Sequence, residues 1–266
     1  MLIQFMLKNI LSFKEETVFD MTAIHAYKEY PCNLIQTKNH ENLVKVASIY
    51  GANASGKSNL YYAMKYFQNI VKESFNNTND NDHTVLEKYY NPFSFEEKME
   101  NSEFEIILLL NNDEYKYGFE YNSHHIVMEW LYRKNLTTNR TITLLERSTK
   151  NIDFGASIRK ECDLYKDQIP QDTLVLSFFN RLNLTNNQFK IVYSGIMDIL
   201  IVPSDFCEDT QLLEKLLPKI IDSNKDELIE YLTAIDTGIK DIDYIDTQNN
   251  IIFITSHQGK DQKNIH

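Results

Sequence analysis

The chain has 266 residues, of which 42% are hydrophobic, so it can bury a sizeable core and is not an intrinsically disordered protein. Its formal net charge of −11 excludes a surface that binds nucleic acid through overall charge alone, although a local basic groove stays open. The three widely spaced cysteines fit no disulfide framework, and no apolar run approaches the ~20 residues of a membrane span. We therefore expect a cytoplasmic protein that does not enter a membrane.

The first 75 residues predict a strand pair followed by a strand, a glycine-rich turn and a helix. Residues 1–21 alternate in polarity around a polar turn, as two paired strands do. The run VKVASIY, residues 44–50, is short and mostly apolar, which predicts a buried strand of a parallel sheet. Apolar residues at helical spacing after Lys57 predict an amphipathic helix. This order of elements is the one that a P-loop requires.

The rest of the chain predicts a β-rich part and then a helical part. Four β-rich runs separated by turn-forming residues indicate an antiparallel meander, over residues 104–110, 115–121, 126–134 and 141–147. From about residue 157 the pattern is helical, and it ends in two short strands. We expect an ATP-binding core with an antiparallel lobe over residues 1–150 and a mostly helical lobe over residues 151–266.

The stretch GANASGKSN, residues 51–59, fits the pattern G-x-x-x-x-G-K-S of a phosphate-binding loop. In such a loop, backbone N–H groups point at the β- and γ-phosphates, and the following helix adds the positive end of its dipole. Lys57 can reach the β- and γ-phosphates, and the Ser58 hydroxyl can bind Mg²⁺. We expect the whole loop to bind ATP and Mg²⁺, namely Gly51, Ala52, Asn53, Ala54, Ser55, Gly56, Lys57, Ser58 and Asn59.

With Asn53 third in the loop and Asn59 after the serine, this P-loop resembles that of ABC-class ATPases of the RecF/SMC kind. The closer likeness is to the bacterial AAA-type ATP-binding proteins that include the OLD-like and abortive-infection ATPases. The runs MLKNILSFKEETVFDM and YKYGFEYNSHHIVMEWLYRK resemble the first strand pair and the antiparallel lobe of that family, so the resemblance covers about residues 1–147.

The resemblance implies an α/β P-loop NTPase of ABC-ATPase type. Its parts would be a mixed sheet that carries the P-loop, an antiparallel β-lobe over the nucleotide and a mostly helical C-terminal lobe. The resemblance also places Ser12 and Phe13 at a turn that flanks the adenine base. Phe13 could stack on that base or be an ordinary core residue, and the sequence leaves both readings open.

In that family, hydrolysis uses a small-residue signature loop, an apolar strand that ends in Asp-Glu, and a switch histidine. Three stretches imitate these motifs: residues 176–179 (LSFF), residues 199–205 ending at Asp205, and residues 251–257 ending at His257. The first stretch has bulky phenylalanines where the signature loop has small residues, and the second has a proline in its apolar run. The third lacks suitable partners. These features argue against all three. We therefore interpret the chain as the N-terminal portion of such an ATPase, completed by sequence outside it.

Other residues offer fewer indications of chemistry. Glu129 follows an apolar strand and could orient a metal-bound water, or it could be an exposed strand carboxylate. His124 and His125 have no third ligand at metal spacing. A mild basic cluster in the β-lobe hints at a contact with DNA or another partner, and it consists of Arg133, Lys134, Arg140 and Arg147.

Two functions of different classes follow from these expectations. The first is ATP hydrolysis by a homodimer, or with a partner that carries the signature and Asp-Glu motifs, coupled to phage defence or DNA maintenance through a nuclease or another effector. The alternative is a nucleotide-sensing scaffold that does not hydrolyse ATP and regulates a partner nuclease or toxin. In either case we expect this chain alone to be weakly active or inactive.

Overall fold

The structure is a computed structural model that describes residues 1–24, 30–37, 41–76, 84–95, 100–185, 187–202, 210–234, 239–247, 251–258 and 264–265. The chain divides into two compact units, Met1–Ile201 and Val202–His266. Among the helices of these residues, none combines the length and the apolar character that crossing a bilayer requires.

The first unit is built on a seven-stranded sheet with the order β2-β1-β5-β6-β7-β8-β9, and a separate pair is formed by β3 and β4. The strands are β1 (Leu2–Lys8), β2 (Thr17–Asp20), β3 (Leu34–Ile35), β4 (Leu43–Val44), β5 (Ser102–Leu110), β6 (Asp113–Tyr121), β7 (Ile126–Asn135), β8 (Arg140–Ser148) and β9 (Ile152–Phe154). The N-terminal strand pair and the meander predicted from alternating polarity are both confirmed, because β1 pairs with β2 and β5 to β8 pair in sequence order.

Five α-helices accompany this sheet in the described part of the first unit. They are α1 (Lys57–Glu73), α2 (Val85–Tyr89), α3 (Arg159–Cys162), α4 (Val175–Asn180) and α5 (Gln188–Met197). Short 3₁₀ helices span Pro31–Asn33, Ser74–Asn76 and Asp163–Gln168. The amphipathic helix predicted after the glycine-rich turn is confirmed by α1, which begins at Lys57.

Aromatic side chains attach α1 to the sheet. Phe67 of α1 stacks on Phe119 with 5.7 Å between the ring centroids, and it meets Phe5 edge-on at 5.5 Å. Phe104 contacts the same rings. All four side chains are almost completely buried. Burial of aromatic rings contributes strongly to stability, so this cluster fixes the helix against the sheet and thereby fixes the place where the helix begins.

The predicted fold class, a mixed α/β domain with a large antiparallel sheet and helices, is confirmed. The strand predicted at residues 44–50 is wrong, because residues 45–50 lie in no strand. Val46 is 78% exposed and Tyr50 is 89% exposed. A strand needs a neighbour to pair its backbone groups, and in the part of the chain that the structure describes the last such contact is the bond from the Lys45 amide to the Asn33 carbonyl at 3.0 Å. The expected mixed sheet is likewise not observed in the described residues, because every pairing in the seven-stranded sheet is antiparallel.

In its described residues, the second unit contains one long helix and a small sheet. Helix α6 (Thr210–Ala234) is followed by β10 (Ile239–Asp246), β11 (Ile251–Gln258) and β12 (Asn264–Ile265), which pair antiparallel in that order. The helix is interrupted at Asn224, whose φ of −143° and ψ of 39° are not helical. Lys225 contacts Asp241 at 3.0 Å and Asp243 at 3.4 Å, which joins the helix to β10.

Acidic residues shortly after Ser223 predict that this serine is the N-cap of a helix, and the structure instead places the break at the next residue, Asn224. The Ser223 hydroxyl donates to the Lys219 carbonyl, 2.6 Å away, so it does not cap a new helix. The chain remains helical on both sides and only kinks at the next residue. A serine that bonds back to the preceding turn is a known cause of helix bending.

Candidate functional site

The glycine-rich loop changes direction through two residues in left-handed conformations. Ala54 has a φ of 61° and Gly56 has a φ of 90°. Gly56 is the N-cap of α1, and its carbonyl accepts the first helical hydrogen bond from the Leu60 amide at 3.0 Å. A positive φ costs glycine little, whereas it strains alanine, and strain of this kind persists mainly at functional loops. The loop therefore turns sharply where α1 begins, and Gly56 supplies the left-handed residue at the helix start.

Lys57 folds back over this loop. Its ammonium group donates to the Gly51 carbonyl at 2.9 Å and to the Ala52 carbonyl at 2.7 Å. Ser58 follows in the first turn of α1, and its side chain is exposed. The predicted phosphate-binding lysine and metal-binding serine thus lie side by side at the helix start.

The N-terminus of α1 suits an anion. The helix has 17 residues, and its first turn contains no acidic side chain. Partial positive charge accumulates at a helix N-terminus, and carboxylates commonly occupy that position in ordinary helices. Here the only charged group of the first turn is Lys57, which reinforces the positive end of the dipole. The residues that are present therefore fit a bound phosphate group.

The structure brings Ser12 and Phe13 beside the glycine-rich loop. A Cβ atom added to Gly56 would lie 3.4 Å from the Ser12 Oγ and 3.7 Å from the Phe13 Cζ. Ile10 and Phe13 exchange backbone hydrogen bonds at 2.9 Å, which closes the turn between them. Phe13 is partly buried against the core, so its ring is in contact with both the core and the loop. Ser12 and Phe13 are about 40 residues from the loop in sequence, and that spacing does not indicate that they lie beside it. Only the family resemblance suggested this.

Glu129 is buried rather than exposed, with 1% of its surface accessible. Its carboxylate accepts hydrogen bonds from the Val175 amide at 2.8 Å, the Leu176 amide at 3.0 Å and the Tyr117 hydroxyl at 3.0 Å. Arg147 lies 3.5 Å away. Both oxygens are thus engaged by protein donors, and this carboxylate holds the N-terminus of α4.

Burial raises the pKa of the Glu129 carboxyl, and the nearby Arg147 guanidinium and the two amides oppose that shift. Burial likewise raises the pKa of Tyr117, and the adjacent carboxylate raises it further. Arg147 also donates to the carbonyls of Thr173, Pro170 and Gln171. The cluster therefore connects β6, β7 and β8 to the segment that precedes α4.

Sequence reasoning missed this cluster, although a signal for it exists. Glu129 and Arg147 are direct cross-strand partners in the register of β7 and β8. Each lies two residues from a completely buried leucine, Leu131 or Leu145, on its own strand. Opposite charges on apolar faces of two neighbouring strands indicate a buried ion pair.

The three stretches that resemble catalytic motifs lie in different parts of the chain. Residues 176–179 lie in α4 with all four side chains buried, and the Ser177 hydroxyl donates to the Val71 carbonyl at 2.6 Å. Asp205 lies outside the described residues. His257 belongs to β11, where its backbone is paired with Ile239 and Ile265, but its side chain is also outside what the structure describes.

The basic residues noted in the β-lobe do not form one free patch. Arg133 donates from its Nε to Asp113 at 2.7 Å, and Lys134 lies 3.9 Å from Glu114. Arg147 is buried in the cluster around Glu129. The expected basic surface is therefore largely neutralised by carboxylates of the same sheet or withdrawn from solvent.

Comparison with protein families bears directly on this loop. A family model described as "AAA domain, putative AbiEii toxin, Type IV TA system" matches residues 46–227, which include the glycine-rich loop, α1 and the meander. A search among curated proteins finds no match to this chain. Because the matched region covers more than half of the chain and contains the loop described above, the chain belongs to this AAA domain family of nucleotide-binding P-loop ATPases.

Proposed function

We propose that residues 51–59 bind ATP with Mg²⁺ and that the chain is the ATP-binding part of an abortive-infection ATPase related to the OLD-like and RecF/SMC-like proteins. The observation that carries this proposal is the position of Lys57, whose ammonium group lies over the loop at the start of a helix free of acidic residues in its first turn. In the cell this activity would serve defence against phage, or DNA maintenance.

Each residue of the loop has a distinct part in this proposal. The backbone amides after Gly51 and at the start of α1 donate to the phosphates, and Lys57 exchanges its two carbonyl partners for phosphate oxygens. Ser58 holds Mg²⁺, which neutralises charge on the β- and γ-phosphates when it is bound. Ser12 and Phe13 lie where they can contact the nucleotide beside Gly56.

Hydrolysis would need groups from outside this sequence, in a homodimer or from a partner that carries the signature and Asp-Glu motifs. Two observations support this part of the proposal. Glu129 and residues 176–179 are buried, and the Glu129 carboxylate and the Ser177 hydroxyl bond to backbone groups of the core. They are therefore poorly suited to act at a phosphate. The apolar segment 45–50 leads directly into the loop with exposed side chains, which leaves room for a further strand beside it. The effector would be a nuclease or a toxin activity.

The same observations favour a second function, in which the chain binds ATP without hydrolysing it and regulates its partner through the bound nucleotide. Catalysis of phosphoryl transfer depends almost entirely on positioning and charge stabilisation, and Glu129, the candidate carboxylate that the structure describes, is bound to the amides of α4 instead. Asp205 and His257 are the residues of this chain that stay candidates for catalysis.

Titration with a fluorescent ATP analogue tests the binding site. Lys57→Ala removes the cation from the loop, and we expect it to weaken binding by roughly 2 to 4 kcal/mol, as for loss of one member of a desolvated charge pair. Lys72→Ala is the matched control, because Lys72 is an exposed lysine in the last turn of the same helix. Equal affinity of the parent and Lys57→Ala would refute the site.

Turnover separates the two functions. We expect the purified chain to hydrolyse ATP far more slowly than ~1 s⁻¹, the lower end of ordinary enzymes. Addition of the protein products of neighbouring genes should raise the rate if the chain is half of a composite ATPase, and should leave it unchanged if the chain is a sensor. A rate near ~1 s⁻¹ for the chain alone, lost in Lys57→Ala, would contradict both. Asp205→Ala and His257→Ala would then be the next variants to measure.

A further inference from the structure

A second site of interest is a cleft in the first unit with a volume of about 500 Å³. It lies between the start of β7, the end of β8, the turn into β9, the 3₁₀ helix Asp163–Gln168 and the segment after it. Small-molecule sites commonly measure about 300 to 1,000 Å³, so the cleft is large enough for a ligand of mononucleotide size. The residues that line it do not include the glycine-rich loop, Ser12 or Phe13.

The cleft is basic although the protein as a whole is acidic. Its lining contains Arg147, Lys150 and Lys166, and a single carboxylate, that of Asp167. The Lys166 ammonium donates to the neutral Asn151 side-chain oxygen at 2.9 Å. Lys150 is exposed, and within the described ranges neither lysine forms an ion pair with a carboxylate. A protein with a net charge of −11 thus keeps two lysines, neither of them in an ion pair among the described residues, beside one carboxylate at a concave place.

The walls of the cleft are held by hydrogen bonds. Arg147 forms part of the back wall, and its guanidinium donates to the Thr173, Pro170 and Gln171 carbonyls at 2.6, 3.1 and 3.1 Å. The Ile126 amide donates to the same Gln171 carbonyl at 2.9 Å, which ties β7 to this segment. The Arg147 guanidinium is balanced by the buried Glu129 carboxylate 3.5 Å away, so it holds the wall in place and leaves the free positive charge to the lysines. The cleft is therefore preformed.

The remaining lining combines hydroxyl groups with apolar surface. Ser148 and Thr149 supply hydroxyl groups next to Lys150 in sequence, whereas apolar contact comes from Ile126, Ile152 and Ile169. Charged donors and hydroxyls together match an anion with several acceptor oxygens, and isoleucine side chains match a compact organic group. A phosphate dianion offers more charge and more acceptors than a carboxylate, so it fits two lysines better.

We propose that this cleft binds a phosphate monoester carried on a compact organic group, with Lys150 and Lys166 contacting the phosphate. A free mononucleotide and the 5′-phosphate end of an oligonucleotide present the same chemistry. The site is separate from the glycine-rich loop and does not depend on ATP binding there.

Isothermal titration calorimetry of the full chain tests this site. The Lys57→Ala variant serves as the background, so that the glycine-rich loop does not contribute. The probes are 5′-AMP, adenosine, inorganic phosphate, a 5′-phosphorylated dinucleotide and the same dinucleotide without the phosphate. We expect 5′-AMP or the phosphorylated dinucleotide to bind at least about tenfold more tightly than its unphosphorylated counterpart, the size of effect that loss of a charged contact produces. Which of the two binds more tightly identifies the source of the phosphate.

Variants assign the binding to the cleft. Lys150→Glu with Lys166→Glu should abolish it, whereas Lys150→Arg with Lys166→Arg should preserve it because the charge is kept. Lys190→Glu, at an exposed lysine of α5, makes the same charge change elsewhere and should have no effect. The proposal is overturned if no phosphorylated probe binds, or if the double Glu variant binds as well as the background protein does.

Discussion

At the scale of single residues, Ser58 is the position at which binding of metal and binding of nucleotide can be separated. Its exposed hydroxyl is next to Lys57 in the first turn of α1. If the hydroxyl is a ligand of Mg²⁺, Ser58→Ala should weaken binding of the ATP analogue at least about tenfold in Mg²⁺ buffer, as loss of a contact to a charged group does. The same substitution should change binding little in EDTA. Titration in the two buffers measures this difference, and equal losses in both would assign Ser58 to the shape of the loop instead.

At the scale of elements, the N-terminus of α4 depends on one buried carboxylate. Glu129 accepts from the amides of Val175 and Leu176. It also accepts from the Tyr117 hydroxyl and faces Arg147, so Glu129→Ala leaves four donor groups buried without it. We expect the free energy of unfolding to fall by about 3 to 5 kcal/mol, the usual result of removing one member of a buried ion pair. Urea denaturation measures this loss.

Glu146→Ala is the matched control for that change. Glu146 lies one residue before Arg147, but its carboxylate is exposed and bonds to the Tyr132 hydroxyl at 2.8 Å. The control should lower the free energy of unfolding by about 1 kcal/mol or less, as surface substitutions do. If the two variants were equally stable, the proposed role of Glu129 in fixing α4 would be incorrect. Glu129→Gln should fall between them, because an amide keeps one acceptor oxygen.

The elements of the sheet could be predicted from the sequence because each carries its own signal. Residues in β5 and for the most part in β6 alternate between the core and the other face, and this alternation is visible without knowledge of the fold. Strand β1 instead reads as an almost continuous apolar run, and it is buried at Leu2, Ile3, Phe5, Met6 and Leu7. Residues 44–50 have the same kind of composition, yet they form no strand past Val44. Whether an apolar run becomes a strand depends on a neighbour, which composition does not reveal.

The candidate site was predictable to a different extent. The pattern of the glycine-rich loop and the helix that begins at Lys57 follow from local spacing. The burial of Glu129 depends on Arg147 and on the amides of α4, which are 18 and 46 to 47 residues away in sequence. Long-range partners of this kind change a carboxylate from an exposed group into a buried one, and local pattern alone does not identify them.

At the scale of the whole molecule, buried tyrosines make stability sensitive to alkaline pH. Burial raises the pKa of Tyr117 and of Tyr121 above the ordinary value, and Tyr121 donates to the Tyr89 carbonyl at 2.9 Å. The folded chain therefore keeps protons that the unfolded chain loses above about pH 10. Their stabilising contribution is complete below that pH and is lost as the pH rises further.

We expect the free energy of unfolding of the first unit to fall above about pH 10, by up to ~1.4 kcal/mol per pH unit for each of these tyrosines. Denaturant titrations at several alkaline pH values measure the slope. Tyr121→Phe should make the slope shallower, whereas Tyr62→Phe should not, because Tyr62 is 48% exposed. A slope that is identical in the parent and Tyr121→Phe would show that other groups cause the decline.

Helix α1 has two ends with different surroundings. Its 17 residues span about 25 Å. At the far end Phe67, Ile70 and Val71 are almost completely buried, and the hydroxyls of Ser177 and Thr173 bond to the carbonyls of Val71 and Ser74. At the near end Lys57 to Tyr62 are exposed or partly exposed. Amide hydrogens of the near end should consequently exchange through local fraying, whereas those of the far end should exchange only when the whole unit unfolds. The loop can thus rearrange around a ligand while the aromatic core behind it stays closed.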